Sequence, residues 1–180
     1  MFLALPLPPP VRAAVAGLAQ PLAGLAWTPA ERLHLTLRFL GNVGEGQRER
    51  MIERLDLVRV EPFILPVEGV GALPPQRMPR VVFVGVGSAH PHLFQLRQRI
   101  DDAVLASGLP LDVRTFHPHI TVARCGGAPE QATRRWLRLR RDFVAPPFRV
   151  EAFELYASEL RREGAVHTLR RRFELRGPEK

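Results

Sequence analysis

The sequence predicts an α+β fold of two pseudo-symmetric lobes, each a mainly antiparallel sheet backed by helices, around a central cleft. Three observations predict it. Apolar runs of strand length alternate with runs of helical period along the 180 residues. The order strand, helix, strand, helix, strand in the first half returns in the second. A short His-x-Thr pattern stands once in each half, at His34–Thr36 and His119–Thr121, 85 residues apart (34 to 119, 36 to 121). Residues 1–180 are therefore expected to form one bilobal domain with its ligand site between the lobes.

The elements follow in order. Phe2 to Leu7 is a short apolar run stopped by prolines and reads as a buried strand. Val11 to Gln20, rich in Ala and Leu with the proline cluster at its start, reads as a helix. Leu33 to Leu40 is a strand. Gly46 to Val58 is a helix with an apolar stripe at Met51, Ile52, Leu55 and Val58. Phe63 to Leu73 is a strand, turned by Pro74 and Pro75. In the second half, Val81 to Val86 is a strand, and Pro91 to Ser107 is a helix ended by Gly108 and Pro110. Pro118 to Arg124 is a strand and Pro129 to Arg141 a very basic helix. Phe148 to Leu160 and Val166 to Leu175 are strands joined by a turn at Arg162, Glu163 and Gly164.

Composition narrows the function. The net charge is +8, and nearly all the positive charge is arginine, because Lys180 is the only lysine. Guanidinium groups make planar, forked contacts with phosphate, which favours a polyanionic partner such as RNA. A general use of arginine for solubility accounts for many of these side chains equally well. Cys125 is the only cysteine, which rules out an internal disulfide and a cysteine-based metal site and suits a reducing cytoplasm. The opening Met1 to Pro10 lacks a basic region and is broken by four prolines, so it does not read as a signal peptide. No apolar run reaches membrane-spanning length, and no membrane association is expected.

The chemistry lies in the two His-x-Thr segments. Side chains alternate between the faces of a strand. Leu33, Leu35 and Leu37 therefore share the core face, and His34, Thr36 and Arg38 share the other. Likewise Ile120 and Val122 go inward while His119 and Thr121 stand together on the open face. If an approximate two-fold relates the halves, the two pairs face each other across the cleft. Phosphodiester chemistry suits two imidazoles. One takes a proton from the nucleophile and the other gives a proton to the leaving oxygen, since a pKa near 6.5 keeps both forms available. Thr36 and Thr121 can hold the phosphate oxygens, and Arg124 can add a charged contact. With six histidines and six threonines, one such triplet is expected by chance on the order of 0.2 times, so two alternating copies half a chain apart carry weight. The bland alternative is a pair of partly exposed strand histidines beside β-forming threonines.

The stretch from Trp27 to Gly41, with Leu33-His34-Leu35-Thr36-Leu37-Arg38 at its centre, resembles the first signature of the two-histidine phosphoesterases, and within them the RNA 2′,3′-cyclic phosphodiesterase or 2′–5′ RNA ligase family. Phe116-His117-Pro118-His119-Ile120-Thr121-Val122-Ala123-Arg124 resembles the second signature. The resemblance extends to the opening Phe2 to Pro6 and to Phe153, Leu155, Ser158, Leu160 and Gly164 near the end. It implies that superfamily's bilobal fold and hydrolysis of a terminal 2′,3′-cyclic phosphate to a 2′-phosphate, without metal or cofactor. It makes His34 the proton donor and His119 the proton acceptor, with Thr36, Thr121 and Arg124 contacting the substrate. Reversal with an RNA 5′-hydroxyl in place of water would give 2′–5′ ligation. The implied partner is RNA with a cyclic phosphate end, met by a cytoplasmic monomer with no obligate protein partner. His167 departs from relatives that often carry Tyr there, and it is left outside the expected site.

Other features carry weaker readings. His117 and His119 form a His-x-His pair, but no acidic cluster accompanies them in sequence. Cys125 has no evident base beside it and reads as a strand-end residue. In the helix from Arg134 to Arg141, Trp136, Leu137 and Leu139 are expected to pack inward while the arginines face solvent or RNA. His90 and His92 read as surface residues. No phosphate-binding glycine loop is present, which disfavours ATP-driven ligation. Two competing functions remain: a phosphodiesterase for small cyclic phosphates, such as an ADP-ribose cyclic phosphate or a nucleotide, and a non-catalytic RNA-binding protein.

Overall fold

The computed structural model describes residues 1–75, 78–87, 91–110, 112–127, 129–161 and 164–177. Its strands are β1 (Phe2–Pro6), β2 (Leu25–Trp27), β3 (His34–Phe39), β4 (Phe63–Glu68), β5 (Val70–Leu73), β6 (Val81–Val84), β7 (Ile120–Cys125), β8 (Val144–Val150), β9 (Ala152–Arg161) and β10 (Gly164–Glu174). The helices are α1 (Pro9–Ala16), α2 (Glu45–Leu55), α3 (Pro91–Ala106) and α4 (Glu130–Arg140). Pro9 and Pro10 open α1, where proline's missing N–H is harmless, so this helix begins earlier than its Ala/Leu pattern indicates.

Eight strands form one antiparallel sheet in the order β10-β9-β1-β3-β7-β6-β5, with β2 added beside β7. Two lobes, each drawing strands from both halves of the chain rather than from one half as the repeated element order predicts, meet at β3 and β7, and there only Leu35 and Ile120 pair. Beyond that pair the partners change: β2 takes over the edge of β7 through Leu25–Cys125, Ala26–Arg124 and Trp27–Ala123. One lobe is thus β10-β9-β1-β3 and the other β2-β7-β6-β5, joined at a single point. The core side of the sheet is sealed by Leu3, Leu5, Leu35, Leu37, Val82, Val84, Ile120 and Val122 with Leu93, Leu96 and Ile100 of α3, all buried.

Two strands read as continuous are each divided. Phe63 to Leu73 breaks at Gly69, whose φ of +72° takes the chain out of strand geometry. Its first part, β4, pairs with β8 in a separate two-stranded sheet, whereas β5 joins the main sheet. Phe148 to Leu160 breaks at Glu151, between β8 and β9. Strand β2 is too short for its pattern to register in the sequence. Of the expected turn at 162–164, Arg162 and Glu163 lie outside the described residues.

Both motif strands carry a bulge at the same place. In β3, Ala4 faces Thr36 but Leu3 faces Arg38, so Leu37 is the extra residue. In β7, Phe83 faces Thr121 but Val82 faces Ala123, so Val122 is the extra residue. A bulge inverts the alternation beyond it. Arg38 consequently does not share the open face with His34 and Thr36, as strict alternation predicts. It is turned into the core side and 3% exposed. There it meets the Asp101 carboxylate and donates to the Pro110 carbonyl at 2.6 Å. Arg97 completes the network, bonding Asp101 at 2.7 Å and the Leu37 carbonyl.

Candidate active site

The junction pair Leu35–Ile120 arranges the motif side chains. Each residue is flanked by its own histidine and threonine, and antiparallel pairing sets His34 across from Thr121 and Thr36 across from His119. Four groups thus converge on the open face where the lobes join. His34 ends the turn that enters β3, and His119 immediately precedes β7 rather than lying within it.

Both imidazoles are held identically. His34 Nδ1 donates to the Arg32 carbonyl at 2.8 Å, and His119 Nδ1 donates to the His117 carbonyl at 2.6 Å. A carbonyl only accepts, so each Nδ1 carries a proton and each Nε2 is the unprotonated nitrogen of the neutral ring. Burial pushes the His34 imidazole down to about 4, with the neighbouring His167 and His119 adding to the shift and the Arg32 carbonyl opposing it. His34 is therefore neutral at pH 7.

The surroundings of the two rings differ. Phe2 stacks on His34 at 4.9 Å and on Tyr156 at 5.2 Å. His167 stands edge-on to both, 5.6 Å from His34 and 4.9 Å from Phe2. The residue left outside the expected site thus lines it. It is carried there by the pairing of β10 with β9, where His167 faces Ser158. Among the described residues its buried Nδ1 has no hydrogen-bond partner, and burial together with Arg32 holds its pKa down. Tyr156 bonds Glu154, and burial keeps its phenol protonated. The contacts of His167 with His34 and Phe2 join residues more than a hundred positions apart, so no local signal marks them.

His119 lies beside Phe83 at 5.3 Å instead. Thr121 pairs with Phe83 and so shares its face. Arg124 pairs with Val81, two residues from Phe83, and is exposed. The β7 bulge is what brings Arg124 to the open face with His119, since strict alternation sends it to the other side.

The remaining candidates separate cleanly. Cys125 is a half-buried free thiol whose pKa is raised by burial, which argues against a nucleophile. His92 is half-buried with its ring edge-on to Phe63 at 6.1 Å, not a simple surface residue, and His90 lies outside the described residues. Trp136 is buried against Trp27 as expected, but Leu139 is exposed. Trp27 pairs with core-facing Ala123, so α4 packs behind the sheet, on the face away from the histidines. Among the described residues no three His, Cys, Asp or Glu side chains converge for a metal ion, and no helix is long and apolar enough to cross a membrane.

Two lobes joined at one strand pair, each presenting a backbone-anchored imidazole and a threonine to the same face, define a phosphoesterase of the two-histidine class. The profile of the family described as LigT like Phosphoesterase matches residues 5–83 and again 84–167, and the chain belongs to that family. Among curated relatives, the RNA 2′,3′-cyclic phosphodiesterase of Aeropyrum pernix is 36% identical over 138 residues, covering 76% of this chain and 78% of the relative. The RNA 2′,3′-cyclic phosphodiesterase of Thermus thermophilus is 33% identical over 189 residues, covering 98% and 90%. Among solved structures, TT0787 of Thermus thermophilus superposes with a TM-score of 0.82 at 31% identity, covering 99% of this chain and 98% of that one. Escherichia coli LigT complexed with 3′-AMP superposes with a TM-score of 0.78 at 28% identity, covering 97% and 96%.

Proposed function

We propose that this chain hydrolyses terminal 2′,3′-cyclic phosphates of RNA to 2′-phosphates. The carrying observation is the pair of imidazoles at the lobe junction, each with Nδ1 tied to a carbonyl and Nε2 left for proton transfer. The curated relatives named for this reaction support the reading. Phosphorus sits between the rings, its non-bridging oxygens on Thr36 and Thr121, with Arg124 adding positive charge as negative charge builds in the transition state. Water attacks phosphorus in line and loses a proton to His119 Nε2. The P–O3′ bond breaks, and His34 Nε2 gives its proton to O3′. Each transfer is worth about 10²–10⁴-fold in rate. One catalytic unit, acting as a cytoplasmic monomer, suffices, because both halves of the chain serve one site.

This assignment makes a demand on His34. A donor must be protonated, yet burial holds the imidazole neutral at pH 7. An anionic phosphodiester beside the ring supplies the opposite charge that favours imidazolium. The fall of kcat with rising pH is therefore expected at a higher pH than the fall of kcat/KM, since the first reports the complex and the second the free protein. A pH–rate profile on a cyclic-phosphate RNA checks this. Coincident limbs, with activity requiring neutral His34, would favour the reverse roles, with His34 as acceptor and His119 as donor. The depressed His34 pKa is the one observation that favours that second reading. Product analysis tests the function itself: a 2′-phosphate is expected, and a 3′-phosphate or no product contradicts it.

A further inference from the structure

A cavity of about 650 Å³ lies between α4 and the segment that follows α1, on the face of the sheet away from the histidines. Its lining includes Gln20, Leu22, Ala132, Arg135, Trp136 and Arg138. The volume falls within the range of small-molecule sites. None of these residues takes part in the two-histidine chemistry.

Trp136 forms the inner wall. It is 2% exposed, and its buried Nε1 has no hydrogen-bond partner among the described residues. A buried donor without an acceptor is costly, and a ligand oxygen at that position removes the cost. The neighbouring indole is already satisfied. Trp27, whose ring stands 5.4 Å from that of Trp136, donates Nε1 to the Gln20 carbonyl at 2.8 Å. That bond, and the Leu25 N–H donated to the Leu22 carbonyl at 3.1 Å, hold the opposite wall in place. The charges at the cavity are also uncompensated. Arg134 meets Glu130 at 2.7 Å and Arg141 meets Asp142 at 3.1 Å, but Arg135 and Arg138 meet no carboxylate among the described residues. These two stand three apart on one helix, where like charges repel. Leu139 beside them is 68% exposed.

We propose that this cavity is a second, non-catalytic site that binds a small organic phosphate, a phosphate monoester carried on a sugar or a nucleoside. Three donor groups without an acceptor line it: the two guanidinium forks and the indole N–H. A terminal phosphate offers three strong acceptor oxygens, where a carboxylate offers two. The apolar part of the wall, from Leu22, Ala132 and Leu139, gains nothing from inorganic phosphate and suits an organic body.

The chain has two tryptophans, so the indole N–H region of its NMR spectrum holds two resonances, one of them from this wall. Titration with ribose 5-phosphate or adenosine 5′-monophosphate should move the Trp136 resonance downfield, and that of the already bonded Trp27 much less. At least one of the two should half-saturate the shift at a concentration about tenfold or more below that of inorganic phosphate, and the tighter one identifies the body. Arg135→Gln and Arg138→Gln should each raise that concentration at least about tenfold, with turnover of a cyclic-phosphate RNA unchanged. No shift at Trp136, an equal response to inorganic phosphate, or a response that survives both substitutions would overturn the proposal. A stronger response to an RNA with hydroxyl groups at both ends would make this face a strand contact and equally overturn it. The resonance is read without turnover, so a chain that opens no cyclic phosphate loses the proposed function and not this site.

Discussion

His34 shows how one residue links stability to chemistry. Its ring is stacked on Phe2, edge-on to His167 and tied to a backbone carbonyl. That packing fixes the tautomer, and the same burial lowers its pKa to about 4 from the ordinary 6.5. Because the folded pKa is depressed, the unfolded chain binds the proton more readily. Stability is full above pH 6.5 and is lost as pH falls toward 4. Between pH 7 and 4.5 the wild type should lose about 2 kcal/mol more than His34→Asn in urea unfolding, and equal losses would contradict the burial argument. The motif residues themselves were legible in sequence, because a His-x-Thr repeat in alternating context rarely arises without a shared site. His167 was not, since only the β9–β10 pairing carries it to the site. The packing of Phe2 on His34 was hidden as well, since it depends on the pairing of β1 with β3.

At the scale of elements, strands and helices were mostly readable, and the errors in which face a motif side chain takes have one cause. Strict alternation presumes an unbroken ladder, and both motif strands contain a bulge just after the threonine. The slip turns Arg38 into the core side and Arg124 out of it. The matching position of the two bulges repeats the motif at the level of backbone shape, which an element order alone only hints at. Arg38 then acts on stability. It and Arg97 converge on Asp101, with side chains 2%, 9% and 14% exposed. Removing the shared anion leaves the buried Arg38 guanidinium without a carboxylate and Arg97 with only the longer Asp112 contact at 3.7 Å. Asp101→Asn should destabilise the protein by about 3–5 kcal/mol, read from the urea midpoint. A change under about 1 kcal/mol would show that the network contributes little.

For the whole molecule, the duplicated order of elements becomes one continuous sheet with a single-pair seam, and the family profile matches each half in turn. The seam explains why the site is shared: neither lobe alone has both imidazoles. The charge of +8 acts over a longer range. RNA contacts with several phosphates release counterions, so binding weakens steeply with salt. For an RNA of about ten nucleotides, kcat/KM should fall more steeply from 50 to 200 mM salt than for a mononucleotide cyclic phosphate, by about sevenfold if two further phosphates are bound. Parallel slopes would mean that the arginines serve solubility and that the terminal nucleotide alone is recognised. Because α4 lies behind the sheet, its arginines should influence this slope less than Arg124.

The central claim is that two histidines, one from each lobe, move the two protons of one phosphoryl transfer. The most direct measurement is turnover of a cyclic-phosphate RNA in excess chelator by the wild type, His34→Ala, His119→Ala and the double variant. Each single variant should be slowed at least about 10²-fold, and the double variant should lose less than the product of the two losses, because the groups act as a unit. Turnover that survives both substitutions, or that vanishes with chelator in the wild type, would contradict the account.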